Sequence, residues 1–198
     1  MKMVDDFFNE LGKELKYPVK IILTGAMAGA ILGCVRPSED IDFEINLSRD
    51  SPAENIDNAI QAVSQRLKLP SQYSENIEGW SQIAFLDYRE KSLPYKKFGN
   101  IDVRVLAPEH WTIGKISRYL PLDQMDVSAV LKKRSISWKN MAAVWGQALK
   151  KSPLSDQSRE FKNHVTDFLK KEGKKVWGGN FDAEKAIALF KKAAGIKI

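Results

Sequence analysis

The feature that most constrains the fold is the alternation in residues 40–47, DIDFEINL, where acidic and apolar side chains follow one another with a period of two. This is the period of a β-strand, because successive side chains of a strand point to opposite faces of the sheet. Asp40, Asp42 and Glu44 are therefore expected on one face, and the apolar residues on the other. The fold must include a sheet.

The rest of the first half combines strand and helix patterns. KIILTG (20–25) predicts a short apolar strand that ends at Gly25, and the small residues of AMAGAILGC (26–34) suit a short, tightly packed helix. Helical spacing of apolar residues predicts helices in VDDFFNELGKELK (4–16) and AENIDNAIQAVSQRLKL (53–69). Strands are predicted for WSQIAFLDY (80–88) and IDVRVL (101–106), with a polar loop, REKSLPYKKFGN (89–100), between them.

From Pro108 onward the pattern changes to helices alone. The predicted helices are PEHWTIGKISRYL, PLDQMDVSAVLKK, SWKNMAAVWGQALKK, SDQSREFKNHVTDFLKK and DAEKAIALFKKAAG, with caps at Ser137, Ser155 and Asp182 and a loop at GKKVWGG (173–179). The sequence thus predicts an α+β protein. A small mixed β-sheet with flanking helices is expected in residues 1–107, followed by a helical region in residues 108–198.

Composition indicates an ordinary globular protein, with 43% hydrophobic and 28% charged residues among 198. A single cysteine and two histidines exclude an internal disulfide and a zinc-ligand spacing. The segment MKMVDDFFNE places acids where a signal peptide needs an apolar stretch, and the apolar runs are short and interrupted. We therefore expect a cytoplasmic location and no membrane partner.

Charge is distributed unevenly between the two halves. Residues 1–107 carry 13 Lys and Arg against 16 Asp and Glu, a balance of −3, whereas residues 108–198 carry 18 against 9, a balance of +9. A basic half of this kind is either a solvated helical surface or a surface for a phosphate-rich partner such as RNA.

Asp40 and Asp42 lie on adjacent same-face positions of the predicted strand, ~7 Å apart at the backbone. Two like charges held together cost free energy unless a cation lies between them or water surrounds them. Carboxylates suit Mg²⁺, which proteins hold with one or two carboxylates and which substrate phosphates complete. The alternative is an edge strand whose acidic face lies in solvent.

Two neighbouring features favour the metal. Gly25 and Ala26 follow an apolar strand and open a helix, so backbone N–H groups there can meet a phosphate. Asp102, in a second predicted strand, could face the same site, although it could equally pair with Arg104; Glu44 is the second choice for a third carboxylate. Asp40, Asp42 and Asp102 beside a phosphate cradle indicate phosphoryl transfer with two Mg²⁺ ions.

These motifs resemble the nucleotidyltransferase superfamily with the DNA polymerase beta-like fold. Its signature is an apolar residue, Gly, then Gly or Ser, a gap of nine to thirteen residues, and a D-x-D or D-x-E motif between apolar residues. Here Leu23, the pair Gly25-Ala26, a gap of thirteen residues and Asp40-Ile41-Asp42 occupy these positions. The resemblance implies that Asp102 is the third metal ligand and that it deprotonates or orients the acceptor hydroxyl through a metal ion.

Further detail is similar to the abortive-infection, AbiEii-type branch, in which an Arg and a Ser shortly precede the first Asp. Arg36 and Ser38 keep that order. They either contact the triphosphate or close the loop, since Arg-Pro-Ser is also ordinary turn composition. Ala26 departs from the family, because it lacks the hydroxyl that a serine at this position directs at a phosphate.

The same branch has a downstream helix with a Lys and an Arg, followed by D-x-x-D. Lys115, Arg118, Asp123 and Asp126 are similar to this arrangement. Lys115 either reaches the nucleotide phosphates or lies in solvent. Asp123 and Asp126 are three apart on a helix face, so they are expected to bind Lys115 or Arg118 and orient them.

The resemblance implies a Mg²⁺-dependent enzyme that moves a nucleoside monophosphate from an NTP, such as ATP, to a hydroxyl and releases pyrophosphate. RNA such as tRNA, or a protein, is the expected acceptor, and a toxin with an antitoxin partner is the expected setting. Two alternatives stay open. One is a catalytically silent member of the fold that binds nucleotide or RNA, and the other is an enzyme that modifies a small molecule of the aminoglycoside type.

Overall fold

A computed structural model describes residues 2–34, 40–46 and 53–197 of the chain. Five strands and ten α-helices lie within these ranges, with one 3₁₀ turn at Ile77–Trp80. The strands are β1 Val19–Leu23, β2 Ile41–Asn46, β3 Ser71–Ser74, β4 Leu93–Phe98 and β5 Ile101–Val105. The helices are α1 Lys2–Glu14, α2 Gly25–Leu32, α3 Ala53–Leu67, α4 Tyr88–Lys91, α5 Pro108–Arg118, α6 Pro121–Lys133, α7 Trp138–Lys151, α8 Asp156–Lys171, α9 Gly173–Trp177 and α10 Ala183–Ala193.

The five strands form one mixed sheet in the order β3-β2-β1-β5-β4. The central strand β1 is antiparallel to β2 and parallel to β5, β2 is parallel to β3, and β4 forms an antiparallel pair with β5. The predicted class is confirmed: this is an α+β protein with a small mixed sheet and flanking helices.

The alternation along β2 separates two environments. Ile41, Phe43 and Ile45 are fully buried. Phe8 of α1 meets Phe43 edge-to-face, with ring centroids 5.8 Å apart, so the helix covers the apolar face of the strand. Asp42 lies on the opposite face, because neighbouring residues of a strand point to opposite sides of the sheet.

Three local predictions are wrong. Residues 80–88 form no strand, since Gln82 and Leu86 have positive φ angles of 53° and 61° that interrupt an extended backbone. The sequence 93–98, expected in a loop, is instead the edge strand β4, which pairs on one side and stays largely exposed, so it needs no apolar alternation. The expected loop at 173–179 contains the short helix α9.

The helical caps follow the prediction. The side chains of Ser137, Ser155 and Asp182 each accept a hydrogen bond from the backbone N–H three residues further on. None of the described helices is long and apolar enough to cross a membrane.

The chain divides into two compact units. Among the described residues, the first comprises 2–31, 40–46, 53–77 and 89–107, and the second comprises 32–34, 78–88 and 108–197. The second unit thus also includes two short stretches that precede Pro108. The sheet and the predicted phosphate turn belong to the first unit, and Lys115 with its predicted partners belongs to the second.

Candidate functional site

The turn between β1 and α2 is built around Gly25. This residue has a φ angle of 62°, which is in the left-handed region that favours glycine. A Cβ atom on residue 25 would lie 1.9 Å from Oδ2 of Asp42, so the carboxylate fills the space that a side chain would need. The backbone N–H of Thr24 also donates to the carbonyl oxygen of Asp42 at 2.9 Å. The backbone of the turn is thus bonded to β2, and the Asp42 carboxylate lies directly beside Gly25.

The first turn of α2 begins beside that carboxylate. The N–H of Ala28 donates to the carbonyl of Thr24 at 3.1 Å, which closes the first helical turn. The amides before Ala28 have no acceptor within the helix, because the first N–H groups of any helix lack one. Ala26 is half-buried in this turn, and its amide needs no side chain to meet an anion.

Asp40 and Asp42 differ in burial. Asp42 is half-buried against Gly25, whereas Asp40, immediately before β2, is exposed. Neither aspartate is fully buried. Arg36 and Ser38, predicted to contact the triphosphate, lie outside the described residues.

Glu44, the next residue on the face of Asp42, has a different role. Its side chain is fully buried and accepts hydrogen bonds from Arg89 Nε at 2.7 Å, Arg89 Nη2 at 3.3 Å and the backbone N–H of Ile77 at 3.2 Å. Arg89 also donates to the carbonyl of Glu75 at 3.1 Å. This pair joins β2 to the segment after β3 and leaves Glu44 unsuited to replace a metal ligand. Sequence reasoning missed it because Arg89 is distant in the chain.

The structure does not bring Asp102 to Asp42. Asp102 pairs in register with Lys20, which in turn pairs with Asn46, so it lies at the opposite end of the sheet from the β1–α2 turn. The two positions are four residues apart along β1 and on strands two apart, which corresponds to roughly 16 Å. The alternation in the sequence correctly predicted the face of the sheet on which Asp102 lies. The end of the sheet at which it lies is set by the register between β5 and β1, which the alternation does not show.

Asp102 instead lines an open cleft of about 430 Å³ with Lys20, Asn46 and Lys97. On β5, the backbone nearest to the turn belongs to Leu106, whose N–H donates to the carbonyl of Leu23 at 2.9 Å. No carboxylate of β5 is therefore available at the row of Asp42.

The ligand set can be tested against magnesium. Among the described residues no group of three or more His, Cys, Asp and Glu side chains could hold a metal ion. Asp40 and Asp42 are of the ligand type that Mg²⁺ takes, which proteins hold with one or two carboxylates and which phosphate oxygens and water complete. They do not supply the third carboxylate that the expected two-ion arrangement requires.

The second unit contains a compact ion cluster around Lys115. Lys115 is 5% exposed, and its Nζ donates to Asp123 Oδ1 at 3.1 Å and to Asp126 Oδ2 at 2.9 Å. Nζ also lies 5.2 Å from the ring centroid of Trp111. Arg118 forms a fork on Asp123, with Nε 2.8 Å from Oδ2 and Nη2 2.6 Å from Oδ1.

Opposing effects set the ionisation of Asp123. Burial raises its pKa, but the hydrogen bond from Arg118 and the positive charge of Lys115 outweigh burial, so that the pKa falls below its usual value. Asp123 therefore stays charged. The predicted contacts of Asp123 and Asp126 with the two basic residues are present; a role of Lys115 in nucleotide binding stays a prediction.

Comparison of the chain with protein-family models, curated proteins and solved structures gives no match. An interpretation of the function rests on the residues themselves. The feature with the clearest chemistry is the half-buried carboxylate of Asp42 against the glycine that begins α2.

Proposed function

We propose that the protein is a Mg²⁺-dependent nucleotidyltransferase that binds a nucleoside triphosphate at the Gly25 end of α2. The reaction joins the α-phosphate to an acceptor hydroxyl, breaks the bond to the β-phosphate and releases pyrophosphate. The observation that carries the proposal is the packing of the Asp42 carboxylate into the space beside Gly25.

This packing supports the proposal, because it brings the Asp42 carboxylate next to the backbone that begins α2. Backbone amides in the first turn of α2 attract phosphate oxygens, and the positive end of the helix dipole adds to this attraction. A carboxylate next to phosphate is unfavourable unless a cation separates them. Asp42 beside the turn therefore favours binding of a cation-nucleotide complex over binding of the nucleotide alone. This supports Mg²⁺ as the ion that would neutralise the phosphate charge.

Asp40 and Asp42 have separate tasks in this proposal. Asp42 lies directly beside Gly25, so it would hold the ion next to the amides that begin α2. Asp40 is exposed and can adjust to the nucleotide as it binds. Gly25 admits both the tight turn and the close carboxylate, and no larger residue does so.

The test is transfer of label from each α-labelled NTP in the presence of Mg²⁺, with and without total tRNA. Asp42→Asn and Asp40→Asn should each lower transfer by at least about 100-fold, since loss of a direct ligand should exceed the 10–100-fold typical of residues behind the ligands. Asp102→Asn is the matched control, because Asp102 lies on the same face of the sheet at its other end. It should leave transfer unchanged.

Loss of transfer in all three variants would place Asp102 in the chemistry and contradict the one-ion site. Transfer that persists in Asp42→Asn would exclude Asp42 as the ligand.

A catalytically silent nucleotide-binding module is the second candidate. Two observations favour it: Asp102 is distant from Asp42, and Glu44 is hydrogen-bonded to Arg89. Two carboxylates are thus left where the family resemblance implies three. Equilibrium binding of a fluorescent ATP analogue separates the candidates. The silent module predicts binding without transfer to any acceptor, and the enzyme predicts binding that requires Mg²⁺ and is weakened in Asp42→Asn.

A further inference from the structure

Helix α6 and its N-cap expose three large apolar side chains, here called the apolar stripe. It consists of Leu120 at the N-cap and of Leu122 and Met125 in the first turns, which are 52%, 51% and 67% exposed. Leu122 and Met125 are three residues apart and hence share one side of the helix, where half-buried Ala129 continues the row.

The other long helices of the second unit have no such surface. Every exposed residue of α7, α8 and α10 is polar or charged: Lys139, Asn140, Gln147, Lys150, Lys151, Asp156, Gln157, Arg159, Glu160, Asn163, Lys170, Lys171, Glu184, Lys185 and Lys192. Their apolar residues are all buried or half-buried, as expected of helices packed on one side. The apolar stripe therefore breaks a rule that its neighbours obey.

Packing of α6 itself does not require the apolar stripe. The buried side of the helix is made by Asp123, Asp126, Val127, Val130 and Leu131. Each large apolar side chain left partly in water forgoes part of the stabilisation that full burial would contribute. A grouping of such side chains on one side of a helix is typical of an interaction surface.

Charge next to the apolar stripe indicates its partner. Lys132 and Lys133 lie in the last turn of α6 and are exposed, and neither has a carboxylate partner among residues 2–34, 40–46 and 53–197. Lys132 is seven residues after Met125 and thus on the same side of the helix. The apolar stripe is thus followed by two basic side chains on the same helix. This helix belongs to residues 108–198, whose net charge is +9.

We propose that the apolar stripe binds an amphipathic helix of a partner protein, whose apolar residues cover Leu122 and Met125 and whose carboxylates face Lys132 and Lys133. A helix is the occupant that fits, because side chains at helical spacing interlock with those of a second helix. A second copy of this chain fits less well, since it would bring another basic surface of the same sign.

The probe is a synthetic fluorescein-labelled peptide of about 18 residues, long enough for several helical turns, with Leu at every third or fourth position and Glu at the others. Binding is measured by fluorescence anisotropy with the intact protein. Two peptides serve as controls: one with the same residues in scrambled order, and one with Lys in place of Glu. Only the ordered Glu peptide should bind with saturation.

Protein variants divide the surface into its parts. Leu122→Ser with Met125→Ser should weaken binding at least about tenfold, because apolar anchors carry most of the affinity of such contacts. Lys132→Glu with Lys133→Glu should weaken it several-fold and make it less sensitive to salt. Leu154→Ser is the matched control, since Leu154 is fully exposed outside the apolar stripe; it should bind as the wild type does.

The substituted positions are exposed, so circular-dichroism melting should be unchanged in every variant and loss of binding is not loss of folding. The proposal is overturned if the wild type does not bind the ordered Glu peptide, if the Lys peptide binds equally well, or if the double serine variant retains affinity. It is also overturned if the stripe variants instead abolish binding to phosphatidylglycerol vesicles, or a self-association seen by sedimentation, while peptide binding is unaffected.

Discussion

Two pairs of aspartates in this chain experience opposite environments. Asp123 and Asp126 are 1% and 7% exposed and lie against Lys115, whereas Asp40 is exposed and Asp42 is half-buried beside a glycine. A buried carboxylate needs a protein cation, because its desolvation is otherwise too costly. A carboxylate in contact with solvent can take its cation from solution. The buried pair is therefore part of the fold, and the more exposed pair is the one for which we propose a metal ion as ligand.

Strand β2 repeats this contrast over two residues. Glu44 is fully buried and held by Arg89, and Asp42, on the same face, is half-buried and lies directly beside Gly25. Burial changes along the strand because the segment around Ile77 covers Glu44. One acidic face thus has both a structural carboxylate and a candidate ligand.

The largest effect on stability is expected from Lys115→Met. This change leaves the buried carboxylates of Asp123 and Asp126 without their shared cation, which should lower the free energy of unfolding by about 3 kcal/mol or more. Chemical denaturation monitored by circular dichroism measures it. Lys132→Met on the exposed side of α6 is the control and should change stability by less than about 0.5 kcal/mol. A similarly small loss of stability in Asp42→Asn would strengthen the contrast between the two pairs of aspartates. A small loss of stability in Lys115→Met would contradict it.

A somewhat smaller loss is expected from Gly25→Ala. The new Cβ would clash with the carboxylate of Asp42 and would require a positive φ, at a cost of about 2–3 kcal/mol. Gly195→Ala is the matched control, because Gly195 has a φ of 71° and only the end of the Lys150 side chain within 4 Å of its Cβ position, at 3.9 Å. It should lose about 1 kcal/mol.

A double-mutant cycle identifies the clash. Asp42→Gly should recover part of the loss in Gly25→Ala, because it removes the atoms that the new Cβ meets, and it should have no such effect on Gly195→Ala. Additive losses in the first pair would show that Asp42 does not pack against Gly25.

The sequence predicted those features of this site that depend on neighbouring residues, and it failed for those that depend on strand pairing. The side-chain period of residues 40–47 is local, and it correctly predicted β2 and the two faces of its side chains. The glycine turn after an apolar strand is local too. The pairing of β1 with β5 is not, and its register, with Lys20 opposite Asp102, placed the third expected carboxylate at the wrong end of the sheet.

The errors in secondary structure have related causes. β4 is an edge strand with a hydrogen-bonded neighbour on one side, so its sequence LPYKKF lacks the alternation that a half-buried strand needs. In residues 80–88 the apolar side chains of Ile83, Phe85 and Tyr88 are buried in the second unit. Their burial made the segment resemble a strand, although its backbone is not extended. Contacts distant in sequence, such as Glu44 with Arg89, leave no local signal at all.

A moderate loss is expected when the contrast on β2 is broken. Arg89→Met removes the cation that faces fully buried Glu44 and should lower the free energy of unfolding by about 2 kcal/mol. Glu44→Gln together with Arg89→Met should recover part of it, because the remaining amide carries no charge to desolvate. Denaturant unfolding of the two variants tests this. Equal stability of both would mean that Glu44 is neutralised by another group.

The smallest effect concerns pH. The pKa of Asp123 is below its usual value in the folded protein, because Arg118 and Lys115 outweigh the opposing effect of burial. The unfolded chain therefore binds a proton at a higher pH than the folded chain. The stability that this group contributes is complete above the unfolded pKa of roughly 3.9 and falls as the pH drops toward the lower folded value. Denaturation midpoints between about pH 6 and pH 3 should show this decline. Asp123→Asn removes the titrating group, so its stability should start lower but fall less steeply over the same range. Parallel curves for the two proteins would assign the acid sensitivity to other carboxylates and would leave the buried pair no more dependent on charge than the more exposed one.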